Sequence, residues 1–372
     1  SFSVPAQHGG LGTMKSAQHL NGIAYIAKPK RLAFGEQFDV TNVACGYGFT
    51  AFAVRSSNKN ILYGSGINTD SQLGFDESDK KHFPDDLILN PRQIELPLKD
   101  TSTKVLDIAA GRAHLLVLTT EGVFTLGNNA YGQCGRPIIS GEDYRKSKVI
   151  HHIPDIKGKK IKAVTAGQDH SILLTESGEV YTFGWGADGQ TGLAHYQNEY
   201  RPSLVKGDLA GQHIIKVSCV ADCVLALNKG KVFGWGNSEY EQLHCMGDNR
   251  QVNIATELTM CKELGYITDI ASGGCFCMIL ITVISYISIY YTTFSILIEF
   301  VKINLENNVI KIFCGMSHLA ALTNVGNLYT WGCNKFGSLG LGHSNDQFFP
   351  LRVIKKVACG IDHTVTLCKP FV

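Results

Sequence analysis

The chain has 372 residues, with 34 Lys and Arg against 32 Asp and Glu, and therefore a formal net charge of +2. This near-neutral balance argues against a dedicated DNA-binding protein, and 44% hydrophobic with 18% charged residues argues against disorder. Glycine contributes 39 residues and proline only 10. The glycines therefore serve frequent turns, which indicates a β architecture.

A repeat of about 52 residues runs along the chain. Its clearest copy spans residues 161–193, where Gly167 and His170 are followed by Gly178 and by Gly184-Trp-Gly-Ala-Asp-Gly-Gln-Thr-Gly. The copies share a first glycine, except that the fourth copy has valine at this position. The position falls at residues 46, 111, 167, 220, 273, 315 and 360.

Each copy alternates strand-length runs with glycine turns, as at residues 171–174 and 180–183. A single small sheet cannot bury both of its faces, whereas seven sheets around one axis can. The sequence therefore predicts one domain over residues 1–372, an all-β, seven-bladed β-propeller of four-stranded antiparallel blades. We expect residues 1–40 to close the last blade.

The repeated motifs are similar to those of the regulator of chromosome condensation repeat family. Gly-x-x-His is followed by Leu-Thr-x-x-Gly-x-Val-Tyr-x-x-Gly and then by Asn-x-x-Gly-Gln-x-Gly. Further segments resemble the mitochondrial, exchange-factor-like branch of that family. These segments are Ala44–Thr50, Asp70–Phe75, Gly127–Arg136, Gly184–Gly192, Phe233–Tyr240 and Cys359–His363.

The resemblance implies a mitochondrial protein that promotes guanine-nucleotide exchange on a dynamin-like GTPase of the inner membrane. Such a protein uses one propeller face, performs no covalent chemistry and is not an enzyme in that sense; no cofactor and no DNA partner are implied. The resemblance also implies an alternative, a scaffold for maturation of mitochondrial large-subunit rRNA with its assembly proteins. Peripheral association with the inner membrane fits either function.

Histidines recur in one position of the repeat, and three tryptophans recur near its Trp-Gly motifs. One histidine per blade cannot converge on a single ion at about 2.1 Å, so we predict structural roles and no metal site. The residues assigned these structural roles are His114, His170, His318, His363, Trp185, Trp235 and Trp331.

Residues 136–160 form a basic stretch between two copies of the repeat. Its candidates for contact with rRNA phosphates or an anionic membrane are Arg145, Lys146, Lys148, Lys159 and Lys160. The alternative is an ordinary solvated loop.

The position just before the repeated histidine carries acids in three copies. It reads, in chain order, Gly48, Ala113, Asp169, Asp222, Cys275, Ser317 and Asp362. We expect these residues to border one face of the propeller, where acids can engage a basic partner surface. The family resemblance implies GTPase contacts for Asp169, Asp222 and Asp362. The alternative is that each aspartate accepts only local backbone hydrogen bonds in its turn.

Residues Gly184 to Gly189 match the dinucleotide-binding pattern G-x-G-x-x-G. That pattern requires a helix directly after it, and the Gln-Thr-Gly-Leu that follows has no helical character. The chain also has no phosphate-binding loop, zinc-protease or serine-hydrolase signature. These features favour an interaction protein over an enzyme.

Residues 275–314 contain no glycine, and Ile279–Ile298 is a run of 20 uncharged residues. Blade five is therefore predicted to be anomalous, with 276–304 as an atypical apolar segment. The run is long enough for a transmembrane helix, yet its β-branched and aromatic residues favour a divergent hairpin. A third interpretation, which we favour from the sequence, is a mispredicted exon boundary.

Overall fold

The computed structural model describes residues 2–5, 18–20, 23–27, 29, 32–57, 61–75, 86–243, 250–281, 286–291, 299–305, 307–353, 358–359 and 364–365. These residues form an all-β propeller of four-stranded antiparallel blades, joined at the chain ends by a five-stranded sheet. The predicted architecture is confirmed at this level, whereas the count of seven blades stays a prediction.

The strands follow the repeat in chain order. The chain begins with β1 (Phe2–Pro5), β2 (Gln18–Leu20), β3 (Ile23–Ile26) and the short helix α1 (Phe34–Gln37). Blade one contains β4 (Val40–Cys45), β5 (Phe49–Val54), β6 (Leu62–Ile67) and β7 (Leu87–Gln93). Blade two contains β8 (Val105–Ala110), β9 (His114–Thr119), β10 (Gly122–Gly127) and β11 (Ile150–Ile153). Blade three contains β12 (Ile161–Ala166), β13 (His170–Thr175), β14 (Val180–Gly184) and β15 (Glu199–Leu204).

The second half of the chain repeats this order. Blade four contains β16 (Lys216–Cys219), β17 (Cys223–Asn228), β18 (Lys231–Asn237) and β19 (Gln251–Glu257). Blade five contains β20 (Ile267–Ser272), β21 (Phe276–Ile281), β22 (Tyr286–Tyr291) and β23 (Glu299–Asn304). Blade six contains β24 (Val309–Cys314), β25 (His318–Thr323), β26 (Leu328–Gly332) and β27 (Gln347–Arg352). The chain ends with β28 (Ala358–Cys359) and β29 (Thr364–Val365), and short 3₁₀ helices lie at Tyr144–Lys146, Gly207–Leu209 and Thr259–Leu264.

The hydrophobic core lies between neighbouring blades. The second strands β5, β9, β13 and β17 are buried at every position, whereas the fourth strand β15 is buried at none. One cluster of buried side chains joins blades one and two, another joins blades two and three, and another joins blades five and six. A strand buried on both faces needs apolar residues at successive positions, which accounts for runs such as Leu115–Leu118.

The first strands of blades one to six surround a central cavity of about 340 Å³. Two aspartates on these strands connect three blades each. Asp107 accepts hydrogen bonds from the Asn42 amide at 3.0 Å and from the Val164 backbone N–H at 3.2 Å. Asp269 pairs with Lys216 and accepts the Ile312 N–H at 3.1 Å. These carboxylates hold successive blades in register around the cavity.

The strand pairing of blade five is as regular as that of its neighbours, so the predicted anomaly does not extend to its pairing. β21 pairs with β22 from Phe276 opposite Tyr291 to Ile281 opposite Tyr286, and β22 pairs with β23 over six positions. This is the arrangement of the hairpin interpretation, although 282–285 and 292–298 lie outside the described residues. In the part of the chain that the structure describes, no helix is long and apolar enough to span a bilayer. The exon-boundary interpretation stays a prediction.

Candidate functional site

The repeat places two sets of loops at the same end of every blade. The turn that joins the first and second strands lies beside the loop that joins the third and fourth strands, because all four strands are antiparallel. We call this end the upper face. The lower face carries the turns between second and third strands and the connections between blades.

In four repeats, those that begin at Gly46, Gly111, Gly167 and Gly273, the first glycine is required by the ring that packs against it. A Cβ atom on Gly111 would lie 2.2 Å from Cε1 of His114, and one on Gly167 would lie 2.1 Å from Cε1 of His170. Phe49 lies against Gly46 in the same way. The turns are also hydrogen-bonded from blade to blade, since the Arg112 N–H donates to the Gln168 carbonyl at 2.8 Å. The upper face therefore has a rigid inner ring of turns.

The repeated histidines are buried and bridge neighbouring blades, which agrees with a structural role. Nε2 of His114 lies 3.0 Å from Oγ of Ser171, and Nε2 of His170 lies 3.6 Å from Sγ of Cys219. Burial lowers the pKa of both imidazoles to about 3, so both are neutral. His318 is buried too, and His363 lies outside the described residues. Among the residues that the structure describes, no three His, Cys, Asp or Glu side chains converge as metal ligands.

The three tryptophans lie at two different positions of the repeat. Trp235 and Trp331 are buried in the third strands β18 and β26, one residue before the glycine that pairs with the start of the second strand. Phe183 takes that position in blade three. Trp185 comes two residues later, in the upper-face loop, where it is half-buried and its ring lies 4.5 Å from that of Tyr131 at 69°. Trp185 is therefore available to a partner.

The predicted acids lie on the upper face where the structure describes them. Asp169 forms an ion pair with Arg112 of blade two, and Arg112 Nε lies 3.2 Å from Asp169 Oδ1. Asp222 accepts a hydrogen bond from the Gln190 amide at 3.2 Å, and its side chain is 22% exposed. Asp362 lies outside the described residues. Asp169 is thus already neutralised by Arg112, whereas among the described residues the basic group within ion-pair distance of Asp222 is the neutral His170, at 3.9 Å.

Buried glutamines fix the tips of the upper-face loops. In blades one to four the glutamine Oε1 accepts the backbone N–H of the residue two positions earlier, at 2.9–3.0 Å. The four glutamines are Gln72, Gln133, Gln190 and Gln242. The four loop-tip residues that they hold are Asp70, Tyr131, Asp188 and Tyr240. Acidic and aromatic tips therefore alternate around this part of the face.

The Asp222 carboxyl titrates at a raised pH. Burial, assisted by the charges of Asp188 and Asp169, raises its pKa to about 6 against the opposing Gln190 hydrogen bond and Arg112. Burial also raises the pKa of Asp169, while Arg112 lowers it. At pH 7 the carboxylates of Asp169, Asp188 and Asp222 therefore lie close enough on the upper face to repel each other.

We expect Asp222→Asn to be about 2 kcal/mol more stable than the wild type at pH 7.5. A carboxyl whose pKa is higher in the folded state destabilises the fold above that pKa. This destabilisation of the wild type disappears as the pH falls from 6 towards about 4, the pKa of the carboxyl in the unfolded chain. Urea unfolding of both proteins from pH 4.5 to 7.5 measures the difference. A difference that stays constant over this range would contradict the pKa shift.

The predicted basic stretch is divided between the two faces. β11 runs from the upper to the lower face, because Ile150 pairs with Leu126 and Ile153 with Val123. Arg145, Lys146 and Lys148 precede β11, and Lys159 and Lys160 follow it. These five residues therefore do not form one contact surface.

Several of these basic residues also have partners within the chain. Arg145 Nε lies 2.9 Å from Asp86 Oδ2, and Lys159 pairs with Glu179. The Lys148 ammonium lies 5.9 Å from the centre of the Phe75 ring. Lys146 and Lys160 are exposed.

The G-x-G-x-x-G pattern forms a loop that packs against blade four. Gly189 has a φ of +83°, and a Cβ there would lie 2.7 Å from Cα of Asn253. A turn and not a helix follows it. Gly189 is needed for this close approach, and the helix that a dinucleotide site requires is replaced by a turn.

Three residues of the upper face were missed from the sequence, namely Arg112, Tyr131 and Asp188. Each occupies a fixed position of the repeat, either just after the first glycine or two residues before the loop glutamine. Aligning the repeats at those two positions would have found the alternation of acidic and aromatic tips.

The chain matches the sequence profile described as "Regulator of chromosome condensation (RCC1) repeat" over residues 121–174, 177–227 and 325–367. The "RCC1-like G exchanging factor-like protein" of Mus musculus is 44% identical over 358 residues, which cover 90% of this chain and 77% of the mouse protein.

Two solved structures have a similar fold. The crystal structure of human WBSCR16 matches with a TM-score of 0.90 and 38% identity, over 100% of this chain and 98% of that one. Prp20p from Saccharomyces cerevisiae matches with a TM-score of 0.72 and 20% identity, over 99% of this chain and 94% of that one. The second match concerns the fold alone.

Proposed function

This chain belongs to the family of RCC1-like G exchanging factor-like proteins, and we propose that it promotes guanine-nucleotide exchange on a mitochondrial dynamin-like GTPase. The name of its mouse relative supports exchange. The solved structure of Prp20p, an RCC1-type propeller, was described together with its binding to Gsp1p and histones. The mitochondrial location and the dynamin-like client come from the resemblance of the repeat motifs.

The observation that carries the proposal is the group of carboxylates on the rigid upper face. Asp70, Asp169, Asp188 and Asp222 lie there with Arg112 among them, so within this group the carboxylates outnumber the cation. Such a surface favours a basic patch of a protein partner. No covalent chemistry is needed. A face that binds the nucleotide-free GTPase more tightly than the nucleotide-bound form accelerates nucleotide release by differential affinity.

Release of labelled GDP from purified mitochondrial dynamin-like GTPases tests the proposal. We expect Asp222→Asn to reduce stimulated release about 10-fold, because a partner cation would be left without its carboxylate. The same variant is expected to be more stable at pH 7.5, so unfolding cannot explain the loss. Asp155→Asn, an exposed acid of the lower face, is the matched control. An absence of stimulation by the wild type on every GTPase tested would contradict exchange.

The second candidate function is a scaffold for mitochondrial large-subunit rRNA maturation. Arg145, Lys146 and Lys148 of the upper face support it, although Arg145 is paired with Asp86. The division of the basic stretch between two faces makes this proposal the weaker one. Crosslinking of rRNA to these three residues, with no effect on GDP release, would favour it.

We also propose that the five-stranded terminal sheet is the seventh blade. β1 pairs with β29, with Phe2 opposite Val365, so the two ends of the chain share one sheet. β28 lies next to β4 of blade one and β24 of blade six. A sheet in this position closes the ring, and residues 1–40 supply its outer strands.

A further inference from the structure

The upper-face residues from Asp70 to Asp222 form a continuous chain of contacts across blades one to four. Asn128 donates its amide to Asp70 at 2.7 Å, and the Gln133 amide donates to Asn128 at 3.3 Å. Gln133 holds Tyr131, whose ring packs on Trp185. We call Asp70, Tyr131, Trp185, Asp188 and Asp222 the acid–aromatic patch.

The aromatic pair of this patch is held in place before any partner arrives. The Trp185 N–H donates to the Asp169 carbonyl at 2.8 Å, and the Tyr131 N–H donates to Gln133. The next residue, Gly132, packs tightly against blade three, since a Cβ atom on it would lie 2.7 Å from Cα of Tyr200. Pre-ordered Trp and Tyr side chains on a rigid face are the usual anchors of protein interfaces.

The charges around the pair favour a cation. Asp188 lies three residues after Trp185 in the same loop, and its Oδ1 accepts the Gln251 amide at 2.7 Å. The patch already accommodates one guanidinium, since Arg112 forms its ion pair with Asp169 beside it. A basic side chain over an aromatic ring with a carboxylate nearby gains both cation–π and ionic attraction.

We propose that the acid–aromatic patch is the anchor point for a basic segment of the partner protein, with an arginine or lysine placed against Tyr131 and Trp185 and neutralised by Asp188 and Asp222. The proposal rests on the proposed function in taking the GTPase as the source of that segment. It adds the chemistry of the contact and the residues that set its specificity. RNA is disfavoured because its phosphates would meet the three carboxylates of the patch.

The intrinsic fluorescence of Trp185 provides a test without any partner. The chain has three tryptophans, and Trp235 and Trp331 are 0% and 3% exposed. Quenching by small ions therefore reports on Trp185. Each ion's quenching is divided by its quenching of free N-acetyltryptophanamide at the same ionic strength. We expect this ratio to be larger for caesium than for iodide, because the surrounding carboxylates attract the cation. A larger ratio for iodide would overturn the proposal.

Hexa-arginine peptide is the first binding probe, measured by calorimetry and by protection of Trp185 from acrylamide. We expect saturable protection, and binding weakened about three-fold in Asp188→Asn. Asp155→Asn is the matched lower-face control. Equal or greater protection by a six-residue oligouridylate would overturn the proposal.

Binding to the nucleotide-free dynamin-like GTPase completes the test. We expect Trp185→Ala to weaken binding about 30-fold, and Tyr131→Ala by a similar factor, as for interface hot spots. Tyr266→Ala removes a 57% exposed aromatic ring from the lower face and is the control. Trp185→Phe keeps an aromatic ring and should bind more tightly than Trp185→Ala.

The two proposals fail in different ways. If the wild type and Trp185→Ala bind the GTPase equally, the aromatic anchor is overturned while exchange stands. If no GTPase binds but hexa-arginine binding still depends on Trp185 and Asp188, the exchange function is overturned while the basic-segment site is supported.

Discussion

Replacing Gly167 with alanine is expected to lower the free energy of unfolding by about 3 kcal/mol. The new Cβ would lie 2.1 Å from the His170 ring and 2.4 Å from the backbone oxygen of Ala221 in the next blade. The ring cannot move away without losing its contact with Cys219, and the backbone oxygen belongs to the inner ring of turns. The strain must therefore displace blade four relative to blade three. Urea unfolding followed by circular dichroism measures the effect.

Gly35→Ala is the matched control for this substitution. A Cβ at Gly35 in α1 would meet no atom within 4 Å. Alanine also favours a helix over glycine, so we expect stability equal to or slightly above that of the wild type. Equal unfolding midpoints for Gly167→Ala and Gly35→Ala would show that position 167 tolerates a side chain and that the glycine is not required there.

The repeat made the fold predictable because its signals are local. Gly167 and Gly178 each mark a turn within a few residues of the neighbouring strands, so the pattern of the repeat located β13 and β14. The two aspartates that tie three blades, Asp107 and Asp269, were not recognised. Their partners lie 43–65 positions away in the chain. Such contacts depend on how blades stack, which spacing does not reveal.

The candidate site was predictable as a position but not as a chemical environment. The alignment of Asp169 and Asp222 with the repeated histidine placed both at the upper face. It did not show that Arg112, 57 positions before Asp169, would neutralise one of them. The residues of the basic stretch are close in the sequence but lie on two faces of the propeller. The four residues of β11 are enough to take the chain from one face to the other.

Trp235→Ala is expected to lower the free energy of unfolding by about 4 kcal/mol, the second large effect. Its ring is fully buried between blades, and its Nε1–H donates to the Gln190 carbonyl at 3.0 Å. Trp235→Phe should cost less, since it fills most of the space but leaves that carbonyl without its donor. Trp185→Ala, which removes a half-buried ring, should cost about 1 kcal/mol.

This comparison separates packing from recognition in two residues that the sequence grouped together. Trp235→Ala should have the larger effect on the free energy of unfolding, and Trp185→Ala should have the larger effect on GTPase binding. Gln190 links the two, because its carbonyl accepts from Trp235 while its amide donates to Asp222. We therefore expect Trp235→Phe to leave the fold largely intact but to make the position of the Asp222 side chain less fixed. A modest loss of stimulated GDP release in this variant would show that packing between the blades positions the carboxylates of the upper face.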